Sequence, residues 1–139
     1  QEGTPALAAA LLAAGYTVLA ETNGSLPIAR FPRGVRRIVD LKPPSSGETA
    51  RIHWENVAEL CPETDEVKCV LADRADYEWA RDTLERHDLA RRCVAVLFAP
   101  VQGRLDAAVL AGWILEERLP VRLNLQLHKI LWPDRERGV

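Results

Sequence analysis

The stretch VKCVLADRADYEWARDTLERHDLARRCVAVLF, residues 67–98, decides the fold. It begins with an apolar run at 67–72 and ends with another at 94–98. Between them, residues 73–87 start at Asp73, a helix-capping residue type, and place Tyr77, Ala80 and Leu84 on one helical face. Apolar runs separated by a helix are typical of parallel strands covered by helices. The sequence therefore predicts an α/β fold, with a mainly parallel sheet and flanking helices.

The same alternation extends along the chain in both directions. Further strands are predicted at 16–20, 35–41 and 121–127, and further helices at 53–60 and 105–118. Thr4-Pro5 is typical of a helix start, and Gly15 suits the end of that first helix. With 139 residues there is room for about one ordinary core, so residues 1–139 are predicted to form a single domain.

Composition excludes several classes of function. The net charge is −2, which is not the strongly basic balance of a nucleic-acid-binding protein. No apolar run approaches the roughly 20 residues that span a bilayer, and no signal-peptide pattern occurs. The chain is therefore predicted to be soluble, with no membrane and no nucleic-acid partner. Since it contains no Met, we also expect it to be the later part of a longer protein.

The three cysteines indicate a reducing compartment. Cys61, Cys69 and Cys93 are odd in number and widely spaced, which is unlike a disulfide framework and predicts a cytoplasmic protein. Cys69 and Cys93 lie in apolar runs, where a free cysteine packs as a small hydrophobic residue. None of the three has metal-ligand spacing, so no metal ligand is predicted in this chain.

Polar loops follow most of the predicted strands. They read ETNGSLPI, KPPSSGE, APVQG and LHKILW. In parallel sheets ligands bind beyond the carboxyl ends of the strands, where these loops meet. Glu21 and Lys42 stand out, because one follows an apolar run directly and the other precedes two rigid prolines. A plain turn at Glu21 and a solvated lysine at Lys42 stay open as alternatives.

The fifth predicted strand alternates strictly between apolar and polar residues. Asn124, Gln126 and His128 share one face of it, and leucines occupy the other. Such alternation is unexpected in a central parallel strand. Either this is an edge strand with a solvated face, or its neutral donors and acceptors line a ligand cavity.

Together the loops carry a family resemblance. ETNG, LKPPSSGE, FAPVQG and above all LQLHKILWP occur in the order and spacing of the C-terminal part of 7-carboxy-7-deazaguanine synthase. This is a radical S-adenosylmethionine enzyme of queuosine and 7-deazapurine biosynthesis. The resemblance runs from about residue 16 to the end. ETNG alone is widespread, whereas its combination with KPPSSGE and LQLHK is much more specific.

The resemblance implies the later portion of a partial (β/α) barrel and a carbon-nitrogen lyase reaction. In the family, an iron–sulfur [4Fe-4S] cluster and S-adenosylmethionine generate a radical that takes a hydrogen from 6-carboxy-5,6,7,8-tetrahydropterin. The ring then contracts with loss of ammonia, and Mg2+ assists. The cofactor supplies the difficult chemistry, and the protein positions it.

The resemblance also implies a role for particular residues, although it assigns none as catalytic. Asp40 and Leu41 stand where the family has Ser and Pro, before the retained Lys42. The implied S-adenosylmethionine contacts are Asn23, Asp40, Leu41, Lys42, Ala99, Pro100, Val101 and Gln102. The implied pterin contacts are Glu21, Gln126, His128 and the C-terminal carboxylate of Val139.

The family's three-cysteine cluster motif and its Gly-Gly-Glu-Pro loop are absent from this sequence. We therefore expect the chain alone to be inactive, with the cluster and Mg2+ ligands in a missing N-terminal part. One alternative is a non-catalytic nucleotide-binding α/β module, and another is a structural half-domain that oligomerises through an exposed edge. The sequence leaves the oligomeric state open, with a homodimer as one option.

Overall fold

The computed structural model describes residues 2–132 of the chain. Within them, no helix is both long and apolar enough to cross a membrane. The strands are β1 (Leu19–Thr22), β2 (Arg36–Asp40), β3 (Glu66–Leu71), β4 (Ala95–Pro100) and β5 (Arg122–Leu123). The α-helices are α1 (Thr4–Ala13), α2 (Arg74–Arg86), α3 (Leu89–Arg92), α4 (Ala107–Glu116) and α5 (Leu127–Leu131). Short 3-10 helices occupy Ile28–Arg30, Pro44–Ser46, Thr49–Arg51 and Trp54–Val57.

The strands form one sheet in the order of the chain, β1-β2-β3-β4-β5. Every neighbouring pair is parallel. All five strands therefore end on the same side of the sheet, which we term the carboxyl edge. The predicted α/β fold, with a parallel sheet and flanking helices, is confirmed.

Local sequence explains where the two main helices begin. The Asp73 side chain accepts a hydrogen bond from the Asp76 amide and caps α2. Asp106 caps α4 in the same way, by accepting from the amides of Ala108 and Val109. A carboxylate here satisfies amide groups that have no partner inside the helix. Both helices therefore begin directly after the loops of the carboxyl edge.

The core lies on one face of the sheet. Val67, Cys69 and Phe98 alternate with more exposed residues, are at most 1% exposed, and share a buried cluster with Tyr77 of α2 and Leu110 of α4. The rings of Tyr77 and Phe98 meet edge to face, with centroids 6.1 Å apart, a favourable aromatic geometry. A smaller cluster joins α1 to the strands β1 and β2 through Ala8, Val18 and Val35.

The other face of the sheet is uncovered by the helices described within residues 2–132. Side chains alternate along a strand, and paired residues of parallel strands share a face, so the strand register defines this surface. We term it the open face, and its residues used below are Glu21, Ile38, Asp40, Lys68 and Leu97. Helices therefore cover the sheet on one side, as in the wall of a barrel.

The predicted fifth strand, 121–127, is wrong over most of its length. Strand β5 contains only Arg122–Leu123, and the Asn124 amide adds one hydrogen bond of 2.8 Å to the Phe98 carbonyl. The chain then leaves the sheet and forms α5. Gln126 and His128 therefore do not share one face of a strand. Neither an edge strand with a solvated face nor a strand face that lines a cavity describes them.

Two other predicted elements differ from those observed. The strand expected at 16–20 is observed as Leu19–Thr22, so Glu21 lies inside β1 rather than after it. The helix expected at 53–60 is a 3-10 helix over Trp54–Val57. The side chain of Asn56 inside it is bonded to a neighbouring loop, which favours a short turn over a regular helix.

Candidate functional site

Two ion pairs lie on the open face near the carboxyl edge. The first joins Lys68 of β3 to Glu21 of β1, with 2.8 Å between Nζ and Oε1. Strand β2 lies between these two strands, so the lysine side chain crosses it to make the contact. The Lys68 side chain is 13% exposed and that of Glu21 is 52% exposed. The mostly buried Lys68 side chain therefore holds the accessible Glu21 carboxylate in place.

The second ion pair lies at the end of β2. Lys42 Nζ donates to Asp40 Oδ2 at 2.6 Å, and the Asp40 side chain is 10% exposed. The other oxygen, Asp40 Oδ1, is buried and has no hydrogen-bond partner among the residues that the structure describes. Buried polar atoms are nearly always hydrogen-bonded. Asp40 Oδ1 is therefore an unsatisfied acceptor beside both ion pairs.

The loop after β2, which follows Lys42, is fixed to the start of α2 by Asp76. This carboxylate is 1% exposed. It accepts hydrogen bonds from the Ser45 amide at 3.0 Å, from the Ser45 hydroxyl, and from the Ala72 amide at 3.0 Å. The position of the KPPSSGE loop therefore depends on a buried residue of the neighbouring helix.

The loop after β1 is fixed in a similar way by Asn56, which is 2% exposed. Its side-chain oxygen accepts from the Ile28 amide at 2.9 Å, and its nitrogen donates to the carbonyls of Gly24 and Leu26 at 3.1 and 3.0 Å. Three separate backbone groups of one loop thus meet one amide side chain. This gives the ETNG segment a fixed shape.

Gly24 is required by the shape of that loop. Its φ of +68° lies in the left-handed region, and an added Cβ would lie 3.1 Å from a methyl group of Val39. The preceding residue, Asn23, accepts hydrogen bonds from the amide and hydroxyl of Ser25 at 3.2 and 2.8 Å. Asn23 therefore closes a local turn, and its side chain is exposed at the carboxyl edge.

A hollow of about 470 Å³ opens between the loop after β4 and helix α5. Pro100, Gln102 and Leu105 line it from the loop, and Gln126 and Lys129 line it from the α5 segment. Its volume lies in the range of small-molecule sites. Each glutamine amide both donates and accepts hydrogen bonds, as recognition of a heterocycle or a ribose requires.

The residues predicted for the site fall into two groups. Glu21, Asp40 and Lys42 belong to the ion pairs at the open face, whereas Pro100, Gln102 and Gln126 line the 470 Å³ hollow. Glu21 also lines a separate hollow of about 670 Å³ beside β1. The loops thus converge on the carboxyl edge, but within residues 2–132 Glu21 and the two glutamines line separate hollows.

The other predicted residues are placed differently. Leu41 and Ala99 are buried at 2% and 0%, so only their backbone can contact a ligand. The Val101 amide donates to the Leu71 carbonyl at 2.8 Å. His128 is exposed on α5 and does not line the hollow. Val139 lies outside the described residues, and its predicted contact stays a prediction.

The cysteines do not form a metal centre. Burial raises the pKa of the Cys69 thiol above its ordinary value, and the carboxylates of Asp40 and Asp76 raise it further. Burial likewise raises the pKa of the Cys93 thiol. Metal ligation requires the thiolate, which a raised pKa disfavours. Within residues 2–132, no group of three His, Cys, Asp or Glu side chains is placed to hold a metal ion.

Sequence reasoning missed three residues that organise the site: Lys68, Asp76 and Asn56. A signal existed for Lys68, because it is the one charged residue in the apolar run VKCVLA. Asp76 gave a weaker signal as the second acid of the Asp73-x-x-Asp76 pattern at a helix start. Nothing in the sequence indicated that Asn56 would bond to a loop 28 residues earlier.

Comparison with known proteins gives consistent names. A 7-carboxy-7-deazaguanine synthase of Koribacter versatilis is 43% identical over 93% of this chain, and one of Chlorobaculum tepidum is 43% identical over 100% of it. A third, of Methanospirillum hungatei, is 34% identical over 90% of the chain. The chain is a homologue of the 7-carboxy-7-deazaguanine synthases. No family model matches the sequence.

The homology to 7-carboxy-7-deazaguanine synthases covers part of those proteins. The chain spans 62% of the Koribacter versatilis protein, 64% of the Chlorobaculum tepidum protein and 50% of the Methanospirillum hungatei protein. The resemblance stated from the loops is confirmed by these identities. Because the carboxyl edge with its ion pairs and hollow lies in the shared portion, it is the candidate functional site.

Proposed function

We propose that this chain forms the C-terminal portion of a 7-carboxy-7-deazaguanine synthase barrel and binds S-adenosylmethionine and a pterin at its carboxyl edge. The proposed reaction is the radical ring contraction of 6-carboxy-5,6,7,8-tetrahydropterin with loss of ammonia, in 7-deazapurine and queuosine biosynthesis. The observation that carries the proposal is the 43% identity to two proteins of that name over nearly the whole chain. The one-sided parallel sheet supports it, because helices on one face and polar groups on the other suit a barrel wall.

The described residues fit S-adenosylmethionine. Gln102 and Gln126 would hold the nucleoside portion through paired donors and acceptors, with Pro100 and Leu105 providing apolar contacts. This exchanges two contacts that the resemblance implies: Gln126 is assigned to the cofactor because it lines the same hollow as Gln102, and Lys42 to the pterin because it lies with Glu21 at the open face. When bound, the cofactor supplies the radical chemistry. The protein positions it and limits access of water to the hollow.

The pterin would lie toward the open face. Glu21 presents an exposed carboxylate that accepts hydrogen bonds from ring N–H groups, and Lys42 presents an ammonium to an anionic group. The proposed role of His128 and of the Val139 carboxylate is to complete the pterin site. In a full-length protein that also carries the N-terminal portion, deleting the last three residues should therefore impair pterin turnover more than cofactor binding, whereas unchanged turnover would remove Val139 from the site.

The [4Fe-4S] cluster does not fit the described residues, and neither does a Mg2+ ion. Cys69 and Cys93 are buried core residues, and Cys61 Sγ donates a hydrogen bond to Glu63. No set of acidic side chains within residues 2–132 is arranged as a metal site. No step is therefore derived through either group, and the chain alone should not turn over the pterin.

Calorimetry with S-adenosylmethionine tests the proposal directly. The chain at micromolar concentration should release heat of binding, and replacing both Gln102 and Gln126 by Ala should weaken binding by more than about tenfold, as expected for two lost hydrogen bonds. Glu85→Gln, exposed on α2, serves as a control and should bind as the unsubstituted chain does. Absence of binding heat would contradict the proposal and leave a structural half-domain as the explanation.

A non-catalytic nucleotide-binding module is the second candidate. It is favoured by the absence of a metal-ligand group in the described part of the chain. A fusion of this chain to the remaining N-terminal portion of the Chlorobaculum tepidum relative separates the two. Pterin turnover by the fusion would support the enzyme, whereas S-adenosylmethionine binding without turnover would support the module.

A further inference from the structure

Lys68 is a charged residue of the open face to which the family resemblance gives no role, and its side chain is bonded to a predicted site residue. It lies in the middle of β3 and is flanked by the core residues Val67 and Cys69. Its side chain is 13% exposed, although a lysine is costly to bury unless its charge is paired. Because replacing a buried ion pair by apolar residues is often neutral for stability, an ion pair here is weak evidence of a stabilising role for the lysine.

The partner of Lys68 in this ion pair, Glu21, remains accessible to a ligand. Lys68 Nζ holds Glu21 Oε1 at 2.8 Å, and the Glu21 side chain is still 52% exposed. An exposed carboxylate on an edge strand would otherwise sample several rotamers. The charge-assisted hydrogen bond through Oε1 restricts its orientation, while the side chain remains accessible to a ligand.

A second carboxylate lies beside the same lysine. Asp40 and Lys68 are paired in the register of β2 and β3, so their side chains are neighbours on the open face. Asp40 Oδ2 is bound by Lys42, whereas Asp40 Oδ1 is buried without a partner among the described residues. Asp40 therefore adds a second negative group on the same face beside Lys68.

We propose that Lys68 is a positioning residue for ligand binding, which holds Glu21 through Oε1 in the free and the bound protein and leaves the other carboxylate oxygen to accept a hydrogen bond from a ligand donor. The donor would be an N–H or O–H group, as a pterin ring or a ribose provides. The ammonium is paired in both states, so binding does not leave a buried charge unpaired. This inference rests on the proposed function, because it gives Glu21 a ligand.

A double-mutant cycle on binding tests the inference. S-adenosylmethionine and 6-carboxy-5,6,7,8-tetrahydropterin are each titrated into the chain and its variants by calorimetry. Lys68→Met should weaken binding of the ligand that Glu21 contacts by about tenfold, and Lys68→Arg should recover most of it. The combination Lys68→Met with Glu21→Gln should bind no more weakly than Glu21→Gln alone, because Lys68 acts through Glu21.

The control variant is Arg81→Met. It removes an ion pair with Asp82 on the outer surface of α2, and it should leave both affinities unchanged. Should Lys68→Met fail to fold, as judged by thermal unfolding, Lys68→Gln replaces it with the same expected loss.

Failure of the inference is distinguishable from failure of the proposed function. An unsubstituted chain that binds neither ligand would overturn both. A chain that binds, together with a Lys68→Met variant within twofold of it for both ligands, would overturn the role of Lys68 alone. Losses from Lys68→Met and Glu21→Gln that simply add would also overturn it, because they would show two independent contributions.

Discussion

The buried carboxylates of Asp65 and Asp40 differ in what surrounds them. Asp65 is 0% exposed and accepts hydrogen bonds from the Arg37 amide at 3.0 Å, from the Arg37 guanidinium, and from the Cys61 amide at 2.8 Å. Arg37 also donates to the Glu59 carbonyl at 2.7 Å. This network lies at the start of β3, away from the carboxyl edge. Asp65 therefore has a structural role, whereas Asp40 keeps a free acceptor near the site.

Asp65→Ala should lower the free energy of unfolding by about 3–5 kcal/mol, because it leaves the mostly buried Arg37 guanidinium without its counterion. Urea unfolding followed by circular dichroism measures this. Asp82→Ala is the control, since it removes a carboxylate of similar size from an exposed pair on α2 and should cost less than about 1 kcal/mol. Equal losses in the two variants would show that the Asp65 network does not stabilise the fold.

The thiol of Cys69 should make stability depend on pH in the alkaline range. Burial raises its pKa in the fold, with the Asp40 and Asp76 carboxylates adding to the shift, so the unfolded chain loses this proton first. Its contribution to stability is complete below the ordinary thiol pKa of about 8.5. Above that pH, the Cys69 thiol should lower the free energy of unfolding by about 1.4 kcal/mol per pH unit, and the buried Cys93 thiol adds a decline of the same sign.

Urea unfolding between about pH 7 and pH 10 checks the contribution of the thiol. Cys69→Ala starts from a lower stability, because it leaves a small cavity in the core, but its decline with pH should be shallower. Parallel declines in the two proteins would mean that Cys69 does not ionise on unfolding in this range, and the assignment would be wrong.

At the scale of elements, the sequence predicted the centre of the fold well and its C-terminal end poorly. Strand β3 and helix α2 followed the expected pattern because apolar periodicity and the Asp73 cap agree there. After Asn124 the apolar residues fit two different patterns. Leu123, Leu125 and Leu127 fit the alternation of a strand, whereas Leu127, Ile130 and Leu131 fit the spacing of a helix. Pairing with β4 ends at Leu123, so the helix forms.

The candidate site was predictable only where chain order determines position. Lys42 lies just after β2, as the rule that loops at strand ends carry ligands expects, whereas Glu21 was expected after the first strand and lies inside it. The partners that orient these loops come from elsewhere in the chain, since Asn56 contacts the Gly24 loop and Asp76 contacts Ser45. Such contacts depend on tertiary packing, which periodicity does not reveal.

The loop after β2 should become mobile when Asp76 is replaced by Ala. The Ser45 amide would lose its acceptor, so its hydrogen exchange should become at least about tenfold faster. Asp73→Ala is a matched control on the same helix, because it removes the cap of α2 without a bond to Ser45. Faster exchange at Ser45 in both variants would indicate general loosening of α2 rather than loss of a specific support.

At the scale of the whole molecule, stabilising groups and the groups of the candidate site lie at opposite ends of one sheet. The Arg37–Asp65 network supports the start of the strands, and the Glu21–Lys68 and Asp40–Lys42 pairs lie toward their ends. Helices bury apolar residues on one face only, and polar groups remain on the other. The fold can therefore tolerate changes at the carboxyl edge that would be costly in the core.

Helix α5 shows most clearly the difference between stabilising the core and lining the hollow. It contributes no buried residue to the described structure, and Leu127, Ile130 and Leu131 on it are 59–64% exposed. Yet Gln126 and Lys129 line the 470 Å³ hollow, with Leu125 before them. The segment therefore contributes more to the hollow than to the core.

Ending the chain after Asn124 should consequently separate stability from binding. The Asn124 amide keeps its bond to the Phe98 carbonyl, so β5 stays paired and the free energy of unfolding should change by less than about 1 kcal/mol. S-adenosylmethionine binding, measured by calorimetry on the truncated chain, should be lost because one side of the hollow is gone. A truncated chain that still binds would place the cofactor elsewhere on the carboxyl edge, and one that unfolds would make α5 part of the structural core.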